Sequence, residues 1–500
     1  MIADEPTLTF QKIESTSRSQ NDVGQGKMTN HSSDGPLRII DISISGFRGF
    51  SEKTTINLAI PNGKPGSGLT VFVGNNNSGK STILESIALL SSEAEKNFPI
   101  AIRNADTDNS VEIAGTLNNG HPKQIFKSND VNKDVVTKHT GTNPFPMNIM
   151  YIPSRRRLPI NSSPNMADNQ YADNFNFSPD RWQHINKIAH RMATWEARKK
   201  DINKVLYAIL DKTFQWSVDQ LQAGGDSKNK GLLIRSGLHR HFSDSLGDGA
   251  CGIFYYSDCL STLNNNSILV FDEPECSLNP YIQQRLFEHI SETTKDRQII
   301  ISTHSPYFIG FDEIINGCKI VRVSNPGEGT KVNELILDGA VKYFFENATR
   351  NYQSSYLYGI EAREIFFVPD NVIVLEGQDD KYFYPKLFRE INKIIPGNYY
   401  GYGAGGKDNI INIFHIFESL GYRKVAAILD KCDDDKTKNE LIKFTNYIVQ
   451  EIPTYDIRDK EDKNIVGIFD KNGKIKKSEF NDKYKDDVIK MADQLINYFK

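Results

Sequence analysis

The sequence predicts an α/β protein with a larger and a smaller domain, each built on parallel strands. A glycine-rich turn at residues 74–81 separates an apolar strand from a helix. A second apolar strand ends in the acid pair Asp272 and Glu273, and a third, farther along the chain, ends in Glu376. Polar groups that follow buried strands are typical of open α/β sheets, which place their sites at the carboxyl ends of the strands.

Length and composition limit the possible functions. At 500 residues the chain is long enough for two or three hydrophobic cores. The formal net charge of −3 neither indicates nor excludes a nucleic-acid binder, because a local basic channel is enough to neutralise phosphates. The five cysteines show no C-x-x-C spacing and no His/Cys cluster, which argues against a zinc site or a disulfide framework.

The first 36 residues predict a disordered polar tail. They are rich in Ser, Asn and Gln and lack the apolar centre of a secretory signal. No apolar run in the chain approaches the roughly 20 residues needed to span a bilayer. We therefore expect a cytoplasmic protein with no membrane partner.

The turn at residues 74–81 reads Gly-Asn-Asn-Asn-Ser-Gly-Lys-Ser and matches the phosphate-loop pattern G-x-x-x-x-G-K-S. Its glycines let backbone N–H groups turn toward phosphate oxygens, and the helix N-terminus adds a partial positive charge. Lys80 would reach the terminal phosphates of ATP, and the Ser81 hydroxyl would hold Mg²⁺. The alternative is an ordinary Gly/Asn-rich turn. The predicted nucleotide-binding residues here are Asn75, Asn77, Ser78, Gly79, Lys80, Ser81 and Thr82.

The region between residues 150 and 240 carries many basic side chains. Three consecutive arginines at 155–157 would meet phosphates of a nucleotide or a nucleic acid, or form a solvated charge run. From 180 to 214 apolar residues recur at three, four or seven residues, which predicts basic helices. Such helices contact nucleic acid or a second subunit, or present a solvated face. We predict a helical insertion at about 165–240.

Two more strands end in residues suited to phosphate chemistry. Paired acids after a buried strand are costly unless they meet a cation. Asp272 would hold the Mg²⁺ shell, and Glu273 would orient or deprotonate the attacking water. The next apolar strand, at 298–302, is followed by His304, which suits a sensor of the γ-phosphate. The alternative for a single histidine is a structural role.

In this order the motifs resemble those of an ABC-type ATPase of the SMC and RecF branch, over residues 37–345. The resemblance implies ATP and Mg²⁺ as cofactors, and it places Arg48 near the nucleotide. It also implies a signature sequence around Ser245 and Gly247 that contacts the nucleotide held by a partner subunit, and hence a homodimer or larger homo-oligomer. The match at the signature is degenerate, with Asp248 between two glycines. A long heptad region, which SMC and Rad50 have, is missing.

A second acidic site is predicted in the C-terminal part of the chain. After a linker at 346–369, the segment 370–500 contains two apolar strands that end in Glu376 and Asp430, with helical patterns between them. Strand–helix–strand order predicts a small α/β module with parallel strands. Because the two acids then lie at the carboxyl ends of adjacent strands, they would bind a hard cation.

This module resembles a Toprim domain. An ABC-type ATPase followed by Toprim resembles the OLD family of ATP-dependent nucleases and related bacterial antiphage effectors, including the Gabija nuclease subunit and retron-associated OLD-type proteins. The resemblance implies a DNA endonuclease that uses Mg²⁺, with Mn²⁺ or Ca²⁺ as alternatives, and that ATP controls. It also implies a companion defence protein, either a helicase or a reverse transcriptase with its DNA product.

One departure from the Toprim pattern concerns the metal ligands. The family strand normally ends in Asp-x-Asp, but Cys432 stands where the second aspartate belongs. A neutral thiol is a poor ligand for Mg²⁺. Either Asp433, Asp434 or Asp435 supplies the missing ligand, or the site binds metal weakly.

Two later residues complete the predicted site. Lys460 would stabilise the scissile phosphate and Asp459 would complete a second metal site, in the manner of the late lysine of OLD-type Toprim domains. The alternative is a surface salt-bridge cluster. A rival function also follows from Cys432: an ATP-switched protein that binds DNA or acts as a scaffold, with a Toprim module that does not cut.

Overall fold

The computed structural model describes residues 35–90, 103–104, 111–118, 124–128, 138–140, 147–154, 191–211, 215–220, 230–236, 239–242, 247–264, 266–351, 353–401, 404–431, 436–460 and 465–500. The chain divides into two compact units, Met1–Pro36 and Leu37–Lys500. The predicted polar tail and the three arginines at 155–157 lie outside the described residues, apart from residues 35 and 36. The second unit is described below.

The described secondary structure alternates strands and helices. The strands are β1 (Ile39–Ser45), β2 (Thr54–Asn57), β3 (Leu69–Val73), β4 (Val111–Leu117), β5 (Gln124–Ser128), β6 (Lys138–Thr140), β7 (Asn148–Ile152), β8 (Gln215–Gln220), β9 (Lys230–Ser236), β10 (His239–Phe242), β11 (Ser267–Asp272), β12 (Gln298–Ser302), β13 (Lys319–Ser324), β14 (Lys331–Glu334), β15 (Val372–Leu375), β16 (Asn398–Tyr400), β17 (Val425–Leu429) and β18 (Ile448–Glu451). The α-helices are α1 (Lys80–Leu89), α2 (Lys199–Leu210), α3 (Asp248–Thr262), α4 (Pro280–Thr293), α5 (Phe311–Asn316), α6 (Gly339–Arg350), α7 (Ser355–Tyr358), α8 (Ile360–Arg363), α9 (Gln378–Glu390), α10 (Lys407–Ser419), α11 (Lys436–Leu441), α12 (Lys477–Glu479) and α13 (Lys485–Phe499).

A six-stranded sheet forms the centre of the N-terminal region, the name used below for residues 37–345. Its order is β14-β13-β3-β12-β11-β7, and all neighbours are parallel except β13 and β14. β3, β11 and β12 are buried at every residue, as expected for strands covered on both faces. One face packs with α1 and the antiparallel sheet β2-β1-β4-β5-β6, and the other packs with α3 and α4.

The predicted helical insertion is helical only in part. α2 confirms a helix in the 180–214 window, but the described residues from 215 to 242 form an antiparallel sheet of order β10-β9-β8. Trp216 and Val218 alternate with polar residues, and this period of two favours a strand over a helix, while Leu232, Leu233 and Ile234 form a short apolar run on β9. The basic composition of the region concealed that alternation.

A buried carboxylate attaches the insertion to α3. Asp258 on α3 is fully buried and accepts hydrogen bonds from Trp195 Nε1 at 2.8 Å and Arg191 Nε at 2.9 Å. Arg198 Nη2 lies 2.7 Å from Oδ1 of the same carboxylate. A buried charge needs such partners to offset its lost hydration, so this cluster fixes the insertion on the helix that begins at Gly247.

The C-terminal module, the name used below for residues 370–500, is built on a four-stranded parallel sheet. The order is β16-β15-β17-β18, and β15 and β17 are the two strands that the sequence predicts to be adjacent. After β15 the chain forms β16 on one side of it, and then β17 and β18 on the other side. The carboxyl ends of β15 and β17 therefore lie at a topological switch point, where open α/β sheets form a crevice.

The predicted linker at 346–369 is packed rather than extended. It holds α7, α8 and the end of α6, and Ala362, Ile365 and Phe366 are buried. One apolar core runs from the N-terminal region through these residues to β15, β17 and α10. The described part of the chain contains no helix that is both long and apolar enough to cross a bilayer.

The Asp258 cluster yields a stability prediction. Asp258→Ala removes the shared partner of two arginines and Trp195, and we expect it to lower the free energy of unfolding by about 3 kcal/mol. The urea midpoint measured by circular dichroism tests this. Asp201→Ala is the matched control, because Asp201 is exposed on α2. Equal midpoints for the two variants would contradict the role given to the cluster.

Candidate functional site

The loop between β3 and α1 has the backbone shape that phosphate binding requires. Gly74, Asn77 and Gly79 adopt left-handed φ angles of 143°, 60° and 111°. A Cβ atom at Gly74 would lie 2.0 Å from the carbonyl oxygen of Val323, so only glycine fits there. Successive turns of this kind direct backbone N–H groups into one concavity at the start of a helix, which attracts anions.

The side chains of Lys80 and Ser81 point to the carboxyl ends of the neighbouring strands. Lys80 Nζ donates to the carbonyl oxygens of Gly74 and Asn75, at 2.9 Å each. Burial lowers the pKa of Lys80, while the charges of Asp272 and Glu273 oppose that shift. Ser81 Oγ donates to Asp272 Oδ2 at 2.9 Å. The two residues predicted to hold Mg²⁺ are thus in direct contact.

Glu273 and His304 face each other beside this pair. Glu273 has a left-handed φ of 48°, and its N–H donates to the carbonyl oxygen of Ser302 at 3.1 Å. His304 Nε2 lies 4.0 Å from Glu273 Oε1. Burial and the nearby charge of Lys80 lower the pKa of His304, so its neutral form prevails at pH 7. A neutral ring offers one N–H donor to a ligand.

Glu275 is a site residue that the sequence analysis missed. Its Oε1 accepts a hydrogen bond from the His304 N–H at 2.6 Å, which fixes the backbone that carries the histidine. Its Oε2 is buried and has no hydrogen-bond partner within the described part of the chain, and burial raises the pKa of Glu275 to about 7. The sequence feature that could have indicated Glu275 is its position two residues after Glu273. Acidic residues are common in turns, so that position alone does not distinguish a site residue.

Arg48 lies against the first turns of α1. Its Nη2 is 2.7 Å from Glu85 Oε2, and Nη1 donates to Thr82 Oγ1 at 3.4 Å. Arg48 also has a left-handed φ of 51°. Arg48 and Thr82 are predicted to contact the nucleotide from outside the loop. They lie together where the loop meets α1.

A cavity of about 420 Å³ opens beside the loop. Asn75, Asn77 and Ser78 line it together with His304. Ser78 Oγ is buried and finds no hydrogen-bond partner in the ranges that the structure describes. The opposite wall includes Asp370, at the start of the C-terminal module.

The predicted signature sequence is described only in part. Ser245 lies outside the described residues. Gly247 is the residue before α3, is exposed, and would have open space around a Cβ atom. The described contacts of one chain do not bring it to the phosphate loop.

A second cluster of acids forms at the switch point of the C-terminal sheet. The Asp430 N–H donates to Glu376 Oε1 at 2.9 Å, so the two predicted ligands are neighbours. Asp380, on the first turn of α9, is buried and its Oδ2 accepts from the Gly377 N–H at 2.9 Å. Asp456 is also buried and forms an ion pair with Lys460.

These four carboxyl groups act on one another electrostatically. Burial, followed by the charges of Glu376, Asp380 and Asp456, raises the pKa of Asp430 to about 9. Burial and the charges of Glu376 and Asp456 raise the pKa of Asp380 to about 7. Burial also raises the pKa of Glu376. Buried carboxyl groups whose pKa values are raised by burial and by one another are characteristic of functional sites.

The structure changes the predicted composition of this cluster. Asp459 is turned away, because its Oδ1 accepts from Lys476 Nζ at 2.9 Å and from the Gly467 N–H at 2.7 Å. Asp380 and Asp456, which the sequence analysis missed, occupy the cluster instead. Cys432, Asp433, Asp434 and Asp435 lie outside the described residues. No three His, Cys, Asp or Glu side chains among the described residues already stand close enough together to hold a metal ion.

The first site has the parts of a nucleotide-hydrolysing P-loop enzyme: a phosphate loop, an acid pair and a histidine on neighbouring parallel strands. Residues 150–310 match the family described as "AAA domain, putative AbiEii toxin, Type IV TA system", and residues 38–222 match "AAA ATPase domain". The first match includes Asp272, Glu273 and His304, and the second includes the phosphate loop. The chain therefore carries an AAA-type ATPase domain, which binds and hydrolyses ATP.

Several solved structures are similar to part of the chain. An SMC head domain from Thermotoga maritima is 12% identical with a TM-score of 0.34, over 60% of this chain and 100% of that chain. An Smc head with an extended coiled coil, bound to the C-terminal domain of ScpA and derived from Pyrococcus furiosus, is 15% identical with a TM-score of 0.37, over 62% and 99%. At these scores the similarity carries no argument about function. No match to this sequence is found among curated proteins.

Lys80→Ala tests the phosphate loop. Losing a charge-assisted hydrogen bond to phosphate costs roughly 1.5–3 kcal/mol, so we expect ATP affinity to fall by at least about tenfold. Titration with a fluorescent ATP analogue and Mg²⁺ measures it. Lys53→Ala, which removes an exposed lysine paired with Glu112, is the control. Unchanged binding by the Lys80 variant would refute the assignment of the loop.

Proposed function

We propose that the protein is an ATP-regulated, Mg²⁺-dependent DNA endonuclease of the OLD type, in which an ATPase dimer controls a Toprim nuclease site. The observation that carries the proposal is the buried acid cluster at the switch point of the second sheet, next to Lys460. By the sequence resemblance the substrate is DNA, and the setting is antiphage defence in the bacterial cytoplasm. A companion helicase or reverse transcriptase belongs to the same proposal.

The donor set of the cluster suits the proposed metal. Glu376, Asp380, Asp430 and Asp456 offer only oxygen atoms, which hard cations such as Mg²⁺, Mn²⁺ and Ca²⁺ prefer. Bound there, the cation would polarise the phosphodiester and lower the pKa of a water molecule. The protein's own contribution is to hold the acids in place, and Lys460 would neutralise charge on the scissile phosphate.

The first site supports an oligomer. Gly247 begins α3 with open space around it, which leaves room for a second subunit to approach the signature sequence. In the proposed dimer, Gly247 and Ser245 of one protomer complete the nucleotide site around Lys80 of the other. Each protomer's ATP then lies between the two chains.

A buried arginine supports the proposed control of the second site by the first. Arg322 on β13 pairs in register with Val73 at the end of β3, and its side chain is only 5% exposed. Its Nη2 lies 2.6 Å from Asp370 Oδ1, and its Cζ lies 3.8 Å from the centre of the Tyr422 ring. Its Nη1 donates to the carbonyl oxygen of Leu420 at 3.3 Å.

These contacts join the phosphate loop to the acid cluster along the chain. β3 leads directly into the loop. Asp370 lies just before β15, which is followed by Glu376, and Tyr422 lies just before β17, which is followed by Asp430. A shift of β13 when the nucleotide binds would therefore reach both strands of the acid cluster through one side chain.

A second function, an ATP-switched DNA-binding or scaffold protein that does not cut, has its own support. No three ligating side chains among the described residues are gathered closely enough to hold a metal, and Cys432 replaces an oxygen ligand. The two functions share the ATPase and differ in whether the cluster binds a cation.

Plasmid cleavage separates them. We expect the wild-type protein with ATP and Mg²⁺ or Mn²⁺, in the presence of its companion protein, to cut DNA. We expect Glu376→Ala to cut at least about a hundredfold more slowly, since one lost electrostatic contact to a transition state typically costs about 2.7–4 kcal/mol. Glu361→Ala, an exposed acid, is the control. No cutting by the wild type, or equal cutting by both, would favour the scaffold function.

Asp370→Asn tests the route of control. The change weakens the ion pair of Arg322 at its exposed end, where the Asp370 side chain is 59% exposed, so we expect the fold to be retained. Allosteric coupling is typically worth 5- to 150-fold, and we expect the ratio of cleavage with ATP to cleavage without it to fall several-fold toward one. Glu328→Gln, which removes the charge of an exposed carboxylate 3.6 Å from Arg423, is the control. A ratio unchanged from wild type would exclude this route.

A further inference from the structure

Tyr384 on α9 has a buried hydroxyl group that none of the described residues satisfies. The side chain is 1% exposed, and its ring stacks on Phe388 with the two centres 6.1 Å apart. The hydroxyl oxygen has no hydrogen-bond partner among the described residues. A phenylalanine would fill the same space without leaving a buried hydroxyl unpaired, which costs free energy comparable to a lost hydrogen bond. The hydroxyl therefore needs an explanation.

The position of Tyr384 on its helix brings the hydroxyl back toward the acid cluster. Asp380 lies four residues earlier, on the same face of α9. Side chains on a helix lean toward its N-terminus and cover the preceding turn. α9 begins directly after Glu376 and Gly377, so the long Tyr384 side chain extends toward the carboxyl ends of β15 and β17.

The charges of all four acids act on the hydroxyl group of Tyr384. Burial raises the pKa of Tyr384, and the charges of Asp430, Asp380, Glu376 and Asp456 raise it further. Yet none of these carboxylates accepts its proton directly. A buried hydroxyl without a partner among the described side chains and backbone groups is the kind of group that buried water molecules bond.

We propose that the Tyr384 hydroxyl holds a water molecule between α9 and the carboxylates, beside the cation that the cluster binds. The hydroxyl and the four carboxylates supply the two to four polar partners that a buried water requires. This inference rests on the proposed metal site. Tyr384 is then a positioning residue: it touches neither metal nor DNA, and it fixes the water next to the scissile phosphate.

Tyr384→Phe tests the inference by metal binding and stability rather than by cleavage alone. In EDTA the variant loses only an unpaired hydroxyl, so we expect a melting temperature equal to or above that of the wild type. With Mn²⁺ and no nucleotide, we expect roughly 3- to 10-fold weaker Mn²⁺ binding, the value of one hydrogen bond, and a smaller rise in melting temperature. The free-Mn²⁺ signal in electron paramagnetic resonance and thermal unfolding measure the two quantities.

Two controls make the outcomes distinct. Tyr382→Phe changes a tyrosine on the same helix that is 65% exposed and is expected to behave as wild type. Glu376→Ala identifies any Mn²⁺ bound elsewhere. Equal Mn²⁺ binding by Tyr384→Phe and wild type, or an equal loss of melting temperature with and without Mn²⁺, overturns the role of Tyr384. Mn²⁺ binding by the wild type that Glu376→Ala does not reduce overturns the metal site itself.

Discussion

A carboxylate buried at the end of a parallel strand must find hydrogen-bond donors or a cation, because its lost hydration is otherwise too costly. Both halves of this chain are arranged around that requirement. Asp272 is fully buried and is held by the hydroxyls of Ser81 and Ser302. In the second sheet Glu376 and Asp380 each accept a backbone N–H, and Asp456 pairs with Lys460. Burial and the charges of these three acids still raise the pKa of Asp430, so there the requirement is met only in part by the protein itself.

This difference gives the two sites different characters. The first is complete in its local hydrogen bonds: Lys80 is held by loop carbonyls and Ser81 by Asp272. A nucleotide would replace these contacts one by one. The second keeps protons on groups such as Asp430, whose pKa is raised to about 9, and a cation would have to displace them. Metal binding at the second site should therefore release protons and strengthen as the pH rises.

The strands that precede the candidate site residues could be predicted from the sequence, because each is an apolar run followed directly by a charged residue. The apolar run indicates the strand, and the charged residue indicates its carboxyl end. The sequence also predicted that Glu376 and Asp430 are neighbours, since parallel strands in one small module leave few other arrangements. Asp380, Asp456 and Glu275 were missed for a physical reason: their roles depend on which way a turn or helix points an otherwise ordinary acid. The sheet at 215–242 was missed because its short alternation is hidden among basic residues. Asp459 was predicted to complete a second metal site, and only the fold shows that its carboxylate accepts from Lys476 and the Gly467 N–H instead.

The core that passes without a break from the six-stranded sheet into β15 and β17 has an evolutionary consequence. A nuclease module attached by a flexible tether can be moved between proteins by simple recombination at the tether. Here the boundary consists of Arg322, its contacts and the buried apolar side chains of residues 362–366, so a transferred module would bring a large exposed apolar face with it. The two halves are therefore expected to be inherited as one unit and to diversify through their surfaces and insertions instead.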